Sequence, residues 1–227
     1  MSLKYRTLIN QDNPLTLEID TTLGNGVNSM KLPVRSNELM TINWGDGSGE
    51  VVSQTATPSE YNWIEHTYAA GGVYKIQVTN VTQILFFKYE EVLNQEGENI
   101  WVYSGDREKL TKVINWGDSN LGTNISDSFN GCINLNHISE EASWFNEVVV
   151  ARFAFLRCAL TSLPTDMALA NLTDGNNMFA GNPLTSLPDN MTLLNLTNGR
   201  EMFVSSTLTS LPDNMTLPNL TNGFLMF

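Results

Sequence analysis

Leu160-Thr161-Ser162-Leu163-Pro164 returns as Leu184-Thr185-Ser186-Leu187-Pro188 and again as Leu208-Thr209-Ser210-Leu211-Pro212, a strict period of 24 residues. The residues after each copy also recur in register: Met167, Met191 and Met215; Leu172, Leu196 and Leu220; Gly175, Gly199 and Gly223; then Met178-Phe179, Met202-Phe203 and Met226-Phe227. A period of this size marks a solenoid of stacked units. One unit cannot stand alone, because burying its few apolar side chains (Leu184, Leu187, Met191, Leu193, Leu196, Met202 and Phe203 in the middle copy) falls short of the entropy lost in ordering its backbone. Neighbouring units must share a core. Pro164, Pro188 and Pro212 lack an amide hydrogen and are expected to end a strand at the same place in every coil. Gly175, Gly199 and Gly223 are expected to supply a corner of positive φ.

Upstream the period loosens. Leu135-Asn136-His137-Ile138 lies 25 residues before Leu160, and Leu110-Thr111-Lys112-Val113 lies 25 before that, so about five coils are expected from residue 109 onward. Phe129-Asn130-Gly131-Cys132 and Phe155-Leu156-Arg157-Cys158 occupy the closing turns of two successive coils. Leu-Thr-Ser-Leu-Pro followed by Phe-x-x-Cys resembles the BspA-like leucine-rich-repeat surface proteins, over roughly half of the chain. Asn182 and Ser206 stand where that family has its Cys. The resemblance implies surface display and binding to host or matrix proteins.

The first hundred residues are built differently. Leu39-Met40-Thr41-Ile42-Asn43-Trp44 alternates, Gly45-Asp46-Gly47-Ser48-Gly49 must turn sharply, and Glu50-Val51-Val52 leaves in strand-forming residues, which predicts a hairpin. His66-Thr67-Tyr68 and Gly72-Val73-Tyr74-Lys75-Ile76-Gln77-Val78 come next. Trp-Gly-Asp-Gly-Ser, His-x-Tyr and Gly-x-Tyr-x-Ile-x-Val, in that order over about residues 14 to 82, resemble the polycystic-kidney-disease (PKD) domain, which implies a small immunoglobulin-like β-sandwich. The segment Val51 to Trp63 is longer and more polar than that family's pattern. Thr82 to Lys88 reads as a buried strand and Glu90 to Glu98 as an acidic loop. Ile114-Asn115-Trp116-Gly117-Asp118 repeats the words of Ile42 to Asp46 without the turn and strand found there, and is read as the opening coil of the repeat.

The expected fold is therefore mainly β: an N-terminal arm (1–13), a PKD-like β-sandwich with connecting strands (14–104), and a BspA-like leucine-rich-repeat solenoid of about five coils (105–227). With 24 acidic against 12 basic residues the net charge is −12. Both parts are acidic, so nucleic acid and anionic membrane are poor partners. No apolar run is long enough to span a bilayer, and Met1 to Asn10 lacks the apolar core of a secretion signal. Display outside the cell then implies a signal removed earlier or another route, such as incorporation in a virus particle.

Chemistry-bearing residues are sparse. His66 and His137 are the two histidines; His66 belongs to a strand-edge motif, and His137, five residues from Cys132, falls in a variable slot whereas Cys132 falls in a core slot. No catalytic residue, cofactor or enzymatic activity is expected. Cys132 and Cys158 lie on adjacent coils and read either as buried thiols or as a bonded pair. Asp46, with Glu50 or Asp20, is a calcium candidate, although an Asp in Gly-Asp-Gly more often caps its own turn. Seven Asn-x-Ser/Thr triplets occur, at Asn80, Asn124, Asn171, Asn190, Asn195, Asn214 and Asn219; most arise from the repeat, and Asn171, Asn195 and Asn219 suggest an amide ladder.

Positions that differ between otherwise matching coils are not held by the core. Asn176-Asn177, Arg200-Glu201 and Phe224-Leu225 are such positions. Thr161-Ser162, Thr185-Ser186 and Thr209-Ser210 instead form a uniform hydroxyl strip. The candidate partner-binding residues are thus Thr185, Ser186, Thr209, Ser210, Asn176, Asn177, Arg200, Glu201, Phe224 and Phe227. No polar cap comes after Phe227, so the expectation is that the chain continues or that this face meets another subunit. Two functions compete: a non-catalytic adhesion or attachment protein on a cell or virion surface, binding a protein or glycan, and a structural subunit of a virion or extracellular filament.

Overall fold

The structure is a computed structural model and describes residues 13–36, 38–53, 63–86, 88–93, 99–104, 106–119 and 121–227. The expected arm therefore lies outside the described residues except for Asn13, as does 54–62 of the long polar segment. The fold is mainly β. Twelve strands occur among the described residues: β1 (Leu15–Asp20), β2 (Ser29–Leu32), β3 (Val34–Arg35), β4 (Leu39–Asn43), β5 (Gly49–Ser53), β6 (Ile64–Thr67), β7 (Val73–Val78), β8 (Gln83–Ile84), β9 (Lys88–Leu93), β10 (Asn99–Ser104), β11 (Leu110–Asn115) and β12 (His137–Ile138). Among the described residues helix is limited to 3₁₀ turns at Arg107–Lys109 and Ser143–Glu147.

Alternation sets the first sheet. Met40 and Ile42 of β4 are buried while Leu39, Thr41 and Asn43 are exposed; in β7, Ile76 and Val78 are buried while Val73, Lys75 and Gln77 are exposed. The six-stranded sheet has the order β12-β11-β1-β7-β4-β5. The predicted hairpin is β4–β5, paired antiparallel from Leu39↔Ser53 to Asn43↔Gly49. Three two-stranded ladders, β2–β6, β3–β8 and β9–β10, complete the pairing. Leu17, Met30, Val34, Ile42, Ile76 and Ile84 from these elements belong to one buried cluster, which runs on without a break to Met226.

The two Asn-Trp-Gly segments make the same device twice. Asn43 Oδ1 accepts the Gly45 N–H at 3.0 Å and Asn115 Oδ1 accepts the Gly117 N–H at 2.7 Å. Both glycines take positive φ (83° and 61°), and each backs onto the neighbouring strand's backbone, Gly45 onto Lys75 and Gly117 onto Asn13 to Leu15. Both tryptophans are buried. β11, which holds the second segment, pairs antiparallel with β1 and parallel with β12, so it is continuous with the first sheet and with the first loosened repeat. Lys109 anchors this junction from inside: its ammonium, 1% exposed, reaches the carbonyls of Val27 (3.0 Å) and Ser29 (2.8 Å) and the Asp106 carboxylate (3.0 Å).

From Leu121 onward units of 26 and then 24 residues stack in register. Parallel bridges link Asn124↔Val150, Val150↔Asp174, Asp174↔Asn198 and Asn198↔Asn222. At each junction alternate amides donate to the next unit: Gly175, Asn177, Phe179 and Gly181 N–H to the carbonyls of Asn198, Arg200, Met202 and Val204, all at 2.8–2.9 Å. The intervening amides close tight turns three residues back, as Met178 N–H does to Gly175 O at 3.0 Å. Phe129, Phe155, Phe179, Phe203 and Phe227 stack with centroids 5.0, 5.6, 5.8 and 5.6 Å apart. Asn171, Asn195 and Asn219 each donate an amide to the preceding unit's carbonyl, Asn146, Ala170 and Leu194 respectively, at 2.8–2.9 Å.

Several expectations need correction. Gly175, Gly199 and Gly223 do not take positive φ; that conformation falls at Asn177 (55°), Glu201 (54°) and Leu225 (48°), and at Gly181 (70°) and Ser205 (63°). Gly175 and Gly199 are needed for room: a Cβ on Gly175 would lie 3.1 Å from Met202 Sδ, and one on Gly199 2.9 Å from Met226 Sδ. The prolines end no strand. Pro164, Pro188 and Pro212 instead open a turn, their carbonyls accepting the N–H of Met167, Met191 and Met215 at 3.0–3.1 Å. Glu90 to Leu93, read as loop, lies in β9, and Thr82 to Phe86 forms only the two-residue β8 before leaving the ladder.

Candidate interaction surface

The hydroxyl strip is exposed at Thr161, Ser162, Thr185, Ser186, Thr209 and Ser210. Its two members per unit differ in what they can offer. Thr185 is engaged in the stack, N–H and Oγ1 both donating to Thr161 O at 3.1 and 3.3 Å. Ser186, by contrast, lines an open groove of about 370 Å³ with Ser162, Thr165, Pro188, Glu140 and Asp189. Glu140 is held in place by Thr165, whose N–H and Oγ1 donate to its Oε2 at 2.8 and 3.1 Å. The groove thus offers hydroxyls and carboxylates beside the apolar Leu163 and Leu187.

The variable positions lie along the run of tight turns, and they are ordered. Asn176 N–H donates to Asp174 Oδ1 at 3.2 Å, and Asn177 Nδ2 to Asn176 Oδ1 at 2.7 Å. Arg152 pairs with Asp174 at 2.6 Å, which holds the guanidinium pKa above its ordinary value. Arg200 donates through Nε and Nη2 to Glu201 Oε1 (3.1 and 2.9 Å) and lies 5.2 Å from the centre of the Phe224 ring. Phe224 is 57% exposed and Phe227 48%. Side chains already fixed in this way lose little freedom when a partner arrives.

The Gly-Asp-Gly corner gathers the densest polar constellation of the first half. Asp46 Oδ2 meets His66 Nε2 at 2.8 Å, and Asp46 Oδ1 accepts from Ser48 Oγ at 2.5 Å and from Ser48 N–H at 2.9 Å. The Ser48 hydroxyl, then His66, hold the Asp46 carboxyl well below the usual carboxylate range. His66 stacks on Trp44 (4.8 Å) and meets Tyr68 edge-on (4.6 Å); Tyr68, whose phenol is pushed up by burial, donates to Trp44 O at 3.1 Å. Serine, aspartate and histidine are all present, but Ser48 Oγ (3.5 Å) and the Asp46 carboxylate (2.8 Å) both meet the same imidazole nitrogen, Nε2, whereas a nucleophile and its orienting carboxylate use opposite ring nitrogens. The calcium candidates are hydrogen-bonded within the protein: both Asp46 oxygens are engaged, Glu50 Oε1 accepts from Trp44 Nε1 at 3.0 Å, and Asp20 Oδ1 accepts from Thr22 at 2.6 and 2.9 Å. Among the described residues no cluster of three His, Cys, Asp or Glu side chains is placed to hold a metal.

The cysteines are both free and buried, and burial pushes both thiols up in pKa. His137 is exposed on β12 whereas Cys132 is fully buried. Cys158 Sγ donates to Phe129 O at 3.2 Å. Asn182 does the same one unit later, its Nδ2 donating to Phe155 O at 2.7 Å, and adds an acceptor for Leu160 N–H at 3.1 Å. Cys and Asn interchange in this slot because each can donate to the preceding phenylalanine's carbonyl.

One element of the stack lies outside the repeats. Phe86 N–H donates to Ser128 O at 2.8 Å and its ring stacks on Phe129 at 5.9 Å. Each repeat phenylalanine likewise donates to the residue just before the next one: Phe129 to Ala154 O, Phe155 to Met178 O, Phe179 to Met202 O and Phe203 to Met226 O. Phe86 therefore takes the place of a preceding unit. No periodicity links residue 86 to the repeat, so only its apolar flanks hinted at burial.

A scan against family models gives no match, and neither the curated proteins nor the solved structures contain a match to this chain.

Proposed function

We propose that this is a non-catalytic attachment protein of a cell or virion surface, in which a PKD-like β-sandwich carries a BspA-like leucine-rich-repeat solenoid of about five coils. The observation that carries the reading is the registered ladder itself, which holds the Ser162/Ser186 groove and the Arg200–Phe224 face on a backbone bonded unit to unit. Contact spread over an extended rigid surface is how solenoids bind. The partner class is a protein or glycan presented on another surface. Purified protein should bind partner-bearing cells saturably, and Ser186→Tyr, which fills the groove, should weaken that binding at least about tenfold. Retention that survives both Ser186→Tyr and Arg200→Ala would overturn the assignment of this surface. Glycan and ester turnover by the pure protein is expected to be absent; activity abolished by changing His66 or His137 would overturn the non-catalytic reading.

A further inference from the structure

We infer that the groove over Ser162 and Ser186 takes an arginine or lysine side chain of a partner polypeptide. The apolar stem lies along Leu163 and Leu187, and the cationic head sits between Glu140 and Asp189. The inference rests on reading this surface as the attachment face, and it names the chemistry of the partner. The groove draws on the units of Glu140, Ser162 and Ser186, and the unit of Ser210 stacks beyond them, so both of its flanks lie inside the stack. Its carboxylates have capacity to spare. Thr165 holds Glu140 through Oε2 alone, and Oε1 takes no hydrogen bond among the described residues. Asp189 is exposed and makes no hydrogen bond or ion pair among them. The Ser162 and Ser186 hydroxyls are free in the same sense. Asp166, next to Thr165, is by contrast occupied, both of its oxygens accepting the Ala142 N–H at 3.0 Å.

Charge selects the occupant. From residue 121 onward the Lys and Arg residues are Arg152, Arg157 and Arg200, and none of them lines the groove; Arg152 and Arg200 are already paired with Asp174 and Glu201. With no counter-charge on its lining, a recess that holds two carboxylates attracts a positive group and repels an anionic one. The floor narrows the choice further. Leu163 and Leu187, 6% and 7% exposed, line the recess beside Pro188. A metal ion or an amino sugar has no hydrocarbon to lay on such a floor, whereas arginine and lysine carry an apolar stem behind a charged head. Arginine fits best, because a planar guanidinium can donate to both carboxylates and to a serine hydroxyl at once.

The test uses the full 227-residue chain and two synthetic probes: an alanine-flanked arginine peptide blocked at both ends, and the same peptide with neutral citrulline in place of arginine. Amide chemical shifts are the readout, since they register the weak binding expected of one exposed cation on carboxylates. The expected result is saturable shifts at the Ser162, Thr165, Ser186 and Asp189 amides with the arginine peptide, and binding at least about fivefold weaker with citrulline. Asp189→Asn should weaken the arginine peptide about threefold or more at an unchanged melting temperature. Glu65→Gln, which removes an equal charge from β6, should leave binding unchanged. No shift at the groove amides, equal binding of the citrulline peptide, or an equal loss with Glu65→Gln would overturn the proposal. So would calcium or glucosamine saturating the same amides at a lower concentration, since the occupant would then be a metal ion or a sugar. The two readings fail separately. Cells held through Ser186 while both peptides bind alike would sink this inference alone, and arginine-selective shifts without any cell binding would sink attachment alone.

Discussion

Replacing Asn182 with alanine should be among the most damaging single changes in the repeats, and the structure supplies the magnitude. Asn182 is fully buried and makes three side-chain hydrogen bonds: to Phe155 O at 2.7 Å, to Phe179 O at 3.0 Å, and from Leu160 N–H at 3.1 Å. Phe179 O keeps a second partner, the Asn182 N–H at 3.3 Å, so its loss is mild. Phe155 O and Leu160 N–H have no other partner among the described residues, and both would be stranded out of water. At about 1–3 kcal/mol for each of the two stranded groups, Asn182→Ala should cost about 2–6 kcal/mol. For a chain of this size that lowers the melting temperature by about 4–24 °C. Asn182→Cys should fall between the two, because a thiol can donate to Phe155 O as Cys158 does to Phe129 O, yet cannot serve Leu160 N–H as well as an amide oxygen. The assay is urea unfolding at constant slope, with exchange at the Leu160 amide as the local readout. An Asn182→Ala protein within about 0.5 kcal/mol of the parent, or one no weaker than Asn182→Cys, would refute the account of this slot.

Lys109→Met should cost about 3–5 kcal/mol, since it leaves the Asp106 carboxylate buried without its cation and takes the ammonium away from the Val27 and Ser29 carbonyls; a double-mutant cycle with Asp106→Asn in urea checks for the coupling. Asp46 has a folded-state pKa below its unfolded value, so its contribution is present above the ordinary carboxylate pKa of about 3.9 and is lost as pH falls further toward the folded value. The stability gap between the parent and Asp46→Asn should therefore shrink between about pH 6 and about pH 3, and a gap that widens would contradict the sign. Ser205→Gly, which copies Gly181 at the matching left-handed position, should stabilise by up to about 1 kcal/mol in the same unfolding assay, and Gly181→Ala should destabilise comparably. Cys132 and Cys158 should both resist a thiol reagent in the native protein and react in denaturant, and fast native labelling would show that the thiols are not where the stack puts them.

Much of this could be read in the residues, and the misreadings have physical causes. The Phe column is a consequence of the period, because equivalent side chains in stacked units have to meet. The β4–β5 hairpin was legible because alternation and a glycine-rich turn agreed. Gly175 and Gly199 were misassigned because glycine serves two needs, a left-handed backbone and a missing side chain, and spacing alone does not separate them. The methionine of the next unit fills the space, while the left-handed turn falls two residues on, at Asn177 and Glu201. Pro164 and its equivalents read as strand ends, but a proline carbonyl is as good at opening a turn. Glu90 and Glu91 suggested loop by charge, although strand pairing in β9 needs only the backbone. In the surface, the variable residues were found as variable; that Arg200 would be clamped between Glu201 and Phe224 was not, since that contact joins two units through side-chain geometry. Phe86 and Lys109 escaped notice for a common reason, that each bonds to a segment more than forty residues away.

Because Phe86 fills the foot of the aromatic column, the first sheet and the repeats meet through a ring and a backbone bond inside one continuous core. A pull on the repeats is therefore passed into the sheet at that seam, and not taken up by a swinging linker.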